Sequence, residues 1–424
     1  MSASRTNWIG VIYGLSLSFF AAYQLFKLPP ALPVLLERYG YDRALAGGFM
    51  SIYALAGLIF SLYAGRLIER HGMARPIHGA LALMIVGNLV ALAAPQWGTV
   101  VLAGRALEGT AFAVLAIAGP VLANREASPQ HLHIIIGLTA SWIPFGQILA
   151  TAVAPAAFAF DGWQLLWGLA IAVCLLQMLW TARLSASGSV NLGIQSTEGR
   201  STLGEGEPPE TPSAVTPTAP TATTATQRLA LRLAAAIFMV WSGQYFAAMT
   251  WLPQYLVETQ GLALELALLA YLLPVVILVV FNLVTGMMLR AGVPLGPLLT
   301  VALASQAAIW WLLPQVSSGD LGSAGGIALL VAYGIGAGIC PTCLFAMPSA
   351  ILGQARAAAS AFGVIMTGRN MGVLIGPILI AQIFKLAGDW NEAAPVFAGL
   401  TLIAVVLGLL LTGKLNRVAH GTSR

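Results

Sequence analysis

The stretch AGRLIERHGMAR, residues Ala64 to Arg75, lies between two long apolar runs and gathers four charged side chains and one histidine. Only 8% of the 424 residues are charged, whereas soluble domains carry about a quarter. A short charged stretch between two apolar runs is typical of a tight turn between two helices that cross a membrane. The fold of the whole chain follows from this interpretation.

The composition places most of the chain in a lipid bilayer. Hydrophobic residues make up 58% of it, the mean hydropathy is +0.84, and several runs reach the length of about 20 residues that crosses a membrane. Backbone groups in lipid must be hydrogen-bonded within their own segment, so these runs are predicted to be helices. The chain is therefore predicted to be an all-α integral membrane protein.

Twelve transmembrane helices are predicted, in two six-helix halves. The first half covers residues 1–184, and its spans are 8–36, 44–65, 77–95, 98–122, 132–157 and 163–184. The second half covers residues 229–424, with spans at 229–257, 263–289, 295–314, 322–347, 357–385 and 393–413. Residues 185–228 are rich in Ser, Thr, Pro, Glu and Gly and are predicted to be a disordered linker.

The positive charges predict the orientation. With a cytoplasmic N-terminus, fourteen Lys and Arg residues fall in cytoplasmic segments and three, Arg38, Arg43 and Lys385, on the other side. Both termini and the linker are therefore expected in the cytoplasm, and the protein in the inner membrane of a bacterial-type cell. We expect it to be a monomer.

The opening stretch also resembles a known signature. Its order Gly65-x-Leu67-x-Glu69-Arg70-x-Gly72 is similar to the loop G-x-L-a-D-R-x-G of major facilitator superfamily transporters, with Glu69 where Asp is usual. GRALEGTAF, which contains Arg105, resembles the fourth-helix motif of that superfamily. WLPQYLVE, residues 251–258, looks loosely like its cyanate and nitroimidazole permease-like branch.

This resemblance implies the major facilitator fold and a secondary transporter rather than an enzyme. In such transporters two halves alternate access to a site near the middle of the membrane. The signature loop would then act as a cytoplasmic latch that holds one conformation. Gly65 would allow a close helix approach, Gly72 would allow the turn, and Glu69, Arg70 and Arg75 would supply its charges.

Four ionisable side chains lie within predicted spans and outside the loops: Lys27, Arg105, Glu108 and Arg369. Three are positive, and an excess of positive charge in a low-dielectric bundle attracts an anion. Arg369, next to Asn370, could hold an oxyanion with its planar guanidinium. A structural role for Arg369, bound to a helix carbonyl, is the alternative.

Arg105 and Glu108 stand three residues apart and are predicted to pair on one helix. The pair could take part in proton coupling, or it could be a permanent structural ion pair. Lys27, one turn after Gln24, could face the transport cavity or extend to the membrane surface. Both alternatives remain open on the sequence alone.

Aromatic and amide side chains at similar depth predict a pocket for an organic solute. The predicted substrate pathway combines them with the residues already named: Gln24, Lys27, Trp142, Gln147, Trp241, Gln244, Tyr245, Asn282, Arg369 and Asn370. The alternative for each of them is ordinary packing between helices.

The remaining motifs give weaker alternatives. Cys340, Cys343 and Met347 have the soft sulfur ligands that suit copper(I), which makes copper transport a minor hypothesis and a metal site unexpected. No nucleic-acid motif or cofactor-binding loop is found, and no cofactor is expected. The leading prediction is a proton-coupled symporter for a small organic or pseudo-inorganic anion. Efflux of hydrophobic aromatic compounds and a non-transporting membrane sensor are the other two hypotheses.

Overall fold

The computed structural model describes residues 5–128, 130, 131, 134, 135, 138, 139, 141–160, 162–193, 224–315, 324–352 and 359–421. Within these ranges the long α-helices are α1 Trp8–Phe26, α2 Leu28–Tyr39, α3 Arg43–His71, α4 Ala74–Ala93, α5 Gly98–Arg125, α6 Trp142–Phe160, α7 Gln164–Ser187, α8 Ala225–Glu258, α9 Leu264–Arg290, α10 Leu295–Leu312, α11 Ala324–Leu352, α12 Ala359–Ala387 and α13 Ala393–Gly421.

Twelve segments of the described chain are long and apolar enough to cross a membrane, which confirms the predicted number. The first of these segments, Trp8–Tyr39, contains two helices, because α1 ends at Phe26 and α2 begins at Leu28. Pro29 and Pro30 cannot donate a backbone hydrogen bond to the preceding turn. They fit the first turn of a new helix instead, and Lys27 is left between the two helices.

The even number of spans puts both ends of the chain on one face. We call this the terminal face; it carries residues 72–73, 126–128, 188–193 and 291–294. The face with residues 40–42, 94–97, 259–263 and 388–392 is called the opposite face. The sequence predicts that the terminal face is cytoplasmic.

Glycines allow the closest helix packing in the second group of six spans. Gly368, Gly372 and Gly376 follow one face of α12, as their spacing predicts, and lie against the α8 backbone. A Cβ atom at Gly376 would collide with the carbonyl oxygen of Gly243. The side chain of Arg369, one residue beyond Gly368, therefore points away from this contact.

Among the described residues, the largest contacts between the two groups of spans are made by three helix pairs: α2 with α8, α3 with α12, and α6 with α9. Near the opposite face, a Cβ atom on Gly47 of α3 would lie only 2.7 Å from the carbonyl oxygen of Pro377 on α12. The halves are therefore in direct backbone contact toward the opposite face.

The predicted linker, residues 185–228, is described only at its ends, and residues 194–223 lie outside the described residues. Helix α7 continues to Ser187, and α8 begins at Ala225 behind a capping box formed by Thr224. Between them, residues 188–193 lie on the terminal face. The Leu192 carbonyl accepts hydrogen bonds from the backbone N–H groups of Met73 (2.8 Å) and Ala74 (3.2 Å) at the start of α4. Both described ends of this segment thus carry helical or hydrogen-bonded structure, and the linker itself stays a prediction.

Candidate functional site

A fully buried group of charges lies inside the first six spans. Glu108 on α5 contacts Arg105 one turn earlier, with 2.5 Å between Oε2 and Nη1, as its spacing predicts. Its other oxygen, Oε1, lies 3.0 Å from Nζ of Lys27. All three side chains have no exposed surface. One carboxylate is therefore shared by two cations.

Lys27 has a complete set of acceptors. Its ammonium group donates to Oε1 of Gln24 (2.5 Å), to Oδ1 of Asn88 and to Glu108. The Trp167 ring lies 4.6 Å from Nζ. The hypothesis that Lys27 extends to the membrane surface is therefore wrong. Gln24 belongs to this enclosed cluster, and Asn88, a lone amide in an apolar run, was missed in the sequence.

Arg105 also binds the break between α1 and α2. Its Nη1 donates to the Gln24 carbonyl (2.8 Å) and its Nη2 to the Leu25 carbonyl (3.2 Å). Leu25 would normally receive the N–H of residue 29, but residue 29 is proline. Arg105 thus satisfies the Leu25 carbonyl, which Pro29 leaves free, and it also binds the Gln24 carbonyl at the end of α1, and this gives it a structural role.

A neutral hydrogen-bond network joins the two halves near mid-membrane depth. Gln147 on α6 donates to the Tyr271 hydroxyl (2.7 Å) and accepts from the Tyr245 hydroxyl (3.0 Å). Trp241 stacks on Tyr245 with 5.2 Å between ring centroids. Tyr271 was missed because a single tyrosine in an apolar span has no distinguishing spacing. The sequence-predicted Gln147, Trp241 and Tyr245 are brought together here.

Arg369 lies beside this network. Its guanidinium carbon is 5.6 Å from the centroid of Phe246, and Nη1 donates to Oδ1 of Asn370 (3.1 Å). Among the described residues, no carboxylate forms an ion pair with Arg369. The buried indole N–H of Trp241 likewise has no hydrogen-bond partner in the described part of the chain. The interface between the halves thus offers a cation and a free N–H donor.

Three other predicted pathway residues lie apart from this network. Gln244 bonds Gln306 and Trp310 inside the second half, because it points about 100° away from its neighbour Tyr245 on the helix. Asn282 accepts from the Thr342 hydroxyl (3.0 Å) between α9 and α11. Trp142 stacks on Phe112 with 5.7 Å between centroids. The observed contacts of these three residues are those expected from the alternative, ordinary packing between helices.

Among the described residues, two ion pairs join the halves, and both lie at the opposite face. Arg43 at the start of α3 contacts Glu258 at the end of α8, with 2.5 Å between Nη2 and Oε1. Asp42 contacts Lys385 of α12 at 3.1 Å. The indole N–H of Trp390 donates to the second oxygen of Glu258 (2.7 Å). These contacts close the opposite face.

The signature loop is mostly helical. Helix α3 continues to His71, and the turn consists of Gly72 and Met73. Gly72 has a φ of 72°, so its predicted role in the turn is confirmed. Among the described residues, no atom outside the neighbouring backbone lies within 4 Å of a Cβ built on Gly65, so the predicted close contact with another helix is not seen there. The charged side chains on this segment are exposed: Glu69, Arg70 and Arg75. Neither Glu69 nor Arg70 forms an ion pair within the described residues.

The sulfur-bearing residues give no support to a metal site. Cys340, Cys343 and Met347 are completely buried in α11. Within the described residues, no group of three or more His, Cys, Asp or Glu side chains comes together.

Twelve apolar helices with a polar centre between two groups define a multi-pass membrane protein with the architecture of a transporter. The chain matches the Major Facilitator Superfamily over residues 14–361, most of its length, and belongs to this superfamily. Members of this superfamily are transporters that move solutes across a membrane.

Two curated relatives match shorter stretches. The major facilitator superfamily multidrug transporter mfsC of Aspergillus fumigatus is 25% identical over 148 residues, or 35% of this chain and 28% of the relative. Solute carrier family 2, facilitated glucose transporter member 10, of Danio rerio is 25% identical over 161 residues, or 37% and 31%. The matches span less than a third of each relative, so they do not indicate a substrate.

Proposed function

We propose that this protein is a proton-coupled secondary transporter for a small organic or pseudo-inorganic anion. The observation that carries the proposal is Arg369, a cation at the interface of the halves without a carboxylate partner among the described residues. Charged groups in the membrane are costly unless they are paired. A substrate anion is the partner that this arrangement accommodates.

The neighbours of Arg369 favour an oxyanion. A guanidinium group can donate two parallel hydrogen bonds to a carboxylate or a similar planar anion. The free indole N–H of Trp241 can supply a further donor, and Tyr245 and Gln147 lie beside it. The rings of Phe246 and Trp241 suit a small planar body. The cyanate and nitroimidazole permease-like branch of the superfamily fits this chemistry and belongs to the same proposal.

The ion pairs support a conformational cycle with alternating access. In the described state Arg43–Glu258 and Asp42–Lys385 hold the opposite face closed, while Glu69 and Arg70 are exposed at the terminal face. We propose that the signature loop pairs its charges when the terminal face closes and the two outer pairs separate. We further propose that both termini lie in the cytoplasm, as the positive charges predict, and that the protein is a monomer in the inner membrane.

The first test is ligand binding by the purified protein in detergent. A ligand that binds the native state raises the melting temperature by mass action. Sodium cyanate, nitrate and benzoate are compared with an organic cation and an uncharged aromatic compound, for wild type, Arg369→Ala and Arg369→Lys. We expect stabilisation by at least one anion, its loss in Arg369→Ala and partial retention in Arg369→Lys. Anion stabilisation that survives in Arg369→Ala would contradict the proposal.

Efflux of aromatic compounds is the second candidate function. It is supported by the similarity to a protein named as a multidrug transporter and by the stacked aromatic pairs Trp142–Phe112 and Trp241–Tyr245. In this case an uncharged aromatic probe would stabilise wild type and Arg369→Ala equally. Trp241→Ala would then lose the effect, because the ring contact would supply the affinity.

A further inference from the structure

The cluster of Lys27, Arg105 and Glu108 has an unbalanced charge. Two cations and one carboxylate give a net charge of +1 in a site where none of the three side chains is exposed. An enclosed net charge is costly in a membrane protein. A change in the protonation of one member would alter that charge, and the contacts indicate which member can change.

Glu108 is poorly suited to carry a proton. Each of its oxygens holds a cation, at 2.5 Å to Arg105 and 3.0 Å to Lys27, so protonation would leave a net charge of +2. Arg105 does not release its proton in proteins and is occupied by the carbonyls of the helix break. We infer that Lys27, rather than Glu108, is the residue that carries the coupled proton.

Deprotonation of Lys27 leaves a neutral cluster. An N–H bond of the ammonium breaks, its electron pair stays on Nζ, and the proton passes to a water molecule. The Arg105–Glu108 pair then remains with no excess charge. The buried Nε2 of Gln24 has no partner among the described residues, and a rotation of this amide would let it donate to the Nζ lone pair.

Lys27 faces titratable side chains from two helices, Arg105 and Glu108 on α5 and Cys174 on α7, and Tyr53 on α3 contacts Arg105. Tyr53 donates its hydroxyl to the Ala21 carbonyl (3.4 Å) and packs under Arg105. Tyr53 and Cys174 stay neutral in this scheme. Asn88 on α4 and Trp167 on α7 complete the surroundings with uncharged groups.

Helix α2 leads from Lys27 toward a cavity at the opposite face. It begins directly after Lys27, and its residues Pro33 and Glu37 line a cavity of about 480 Å³ at the opposite face. Pro33 is six residues from Lys27, or about 9 Å along a helix. Glu258 of the Arg43–Glu258 pair lines the same cavity from α8. Separation of that pair would release α8 from α3 and, in the proposed cycle, admit water toward Nζ.

A chain of aromatic contacts connects Lys27 with the proposed anion site. Phe26, its neighbour in sequence, stacks on Phe246 with 5.9 Å between centroids, and Phe246 lies under Arg369. A positive Lys27 and an anion at Arg369 attract each other through an interior of low dielectric. Because coupling between two sites is reciprocal, bound anion favours the protonated lysine and protonated lysine favours the anion. This inference rests on the proposed anion transport.

The test measures anion affinity against pH by thermal stabilisation, with benzoate, cyanate or nitrate as the probe. In wild type we expect the affinity to fall by up to about tenfold per pH unit as pH rises through the titration of Lys27. Lys27→Arg, which keeps its charge, should give a flat profile with high affinity. Lys27→Met should give a flat profile with low affinity.

The alternative has a distinct outcome. If Glu108 carries the proton, Lys27→Arg keeps the wild-type slope and Glu108→Gln removes it, and this result would overturn the inference. Should the Lys27 variants fail to fold, proton uptake on anion addition is compared between wild type and Glu108→Gln with a pH-indicator dye in weak buffer, and uptake by wild type that Glu108→Gln retains supports Lys27. Absence of uptake would also overturn the inference. Absence of any anion binding by wild type would instead refute the proposed function.

Discussion

The interiors of the two halves treat their buried cations differently. In the first half, Lys27 and Arg105 share Glu108 and are surrounded by further acceptors. In the second half, Arg369 contacts one amide oxygen and one aromatic ring. Gln244, Gln306 and Trp310 form a separate neutral network there. The two six-helix groups thus differ in the placement of their buried cations. The first group encloses them in its interior, and the second has its cation at the interface between the groups.

The largest expected effect is the loss of the enclosed carboxylate. Glu108→Gln leaves two buried cations with only neutral acceptors, and breaking a buried pair costs about 3–5 kcal/mol. We expect a clear fall in melting temperature in detergent. Glu265→Gln is the matched control, because Glu265 is exposed in the first turn of α9. Equal melting temperatures for the two variants would show that the cluster does not stabilise the first half.

The second effect concerns the presented cation. Removing a hydrogen bond to a charged group costs about 1.5–3 kcal/mol, so Arg369→Ala should weaken anion binding by about 10- to 100-fold without unfolding the protein. Arg290→Ala, at the exposed end of α9, should leave binding unchanged. If Arg369→Ala lowered the melting temperature as much as Glu108→Gln, the proposed difference between the buried cations of the two halves would be wrong.

A smaller effect is expected at the neutral network that joins the halves. Tyr271→Phe removes the acceptor of the Gln147 amide and should cost about 0.6–1.5 kcal/mol. The expected result is a few-fold change in anion affinity, measured by thermal stabilisation. Tyr63→Phe, whose ring is 62% exposed, is the control. Identical anion affinities in Tyr271→Phe and Tyr63→Phe would show that this network does not contribute to the binding site.

The smallest effect is expected at the opposite face. The hydrogen bond from Lys385 lowers the pKa of Asp42, so this pair is intact above the ordinary aspartate pKa and is lost as pH falls through the lowered value. Exposed pairs contribute about 0.2–1 kcal/mol. Asp42→Asn keeps an acceptor for the helix cap but loses the pair.

Asp42→Asn should make the opposite face open more often. The labelling rate of a cysteine placed at Gln254 in the cavity should therefore rise a few-fold. The labelling rate of wild type carrying the same cysteine should rise toward that of Asp42→Asn when the pH falls. A rate that is unchanged in Asp42→Asn would show that Arg43–Glu258 alone closes this face.

Local spacing predicted the features that lie on one helix. The twelve apolar runs and the Arg105–Glu108 pair each depend on positions a few residues apart. The period of the α-helix is enough to place such groups next to each other. This explains why the fold could be derived from the sequence.

Contacts between helices were beyond such reasoning. Lys27 and Glu108 are 81 residues apart, and nothing in the spacing tells which way Lys27 turns at a broken helix. Adjacent residues mislead for the same reason: Gln244 and Tyr245 were assigned to one pocket, but consecutive side chains on a helix point about 100° apart. Gly65 and Tyr271 depend on a neighbouring helix whose position the sequence does not give.

The carbonyl of Leu192 has a practical consequence for engineering the chain. It binds the first N–H groups of α4, so residues 188–193 belong structurally to the first six spans. A reporter domain or protease site inserted after residue 193 would spare this contact. An insertion a few residues earlier would disrupt the hydrogen bonds that hold the turn at Gly72. The resulting loss of activity would be mistaken for a defect in transport.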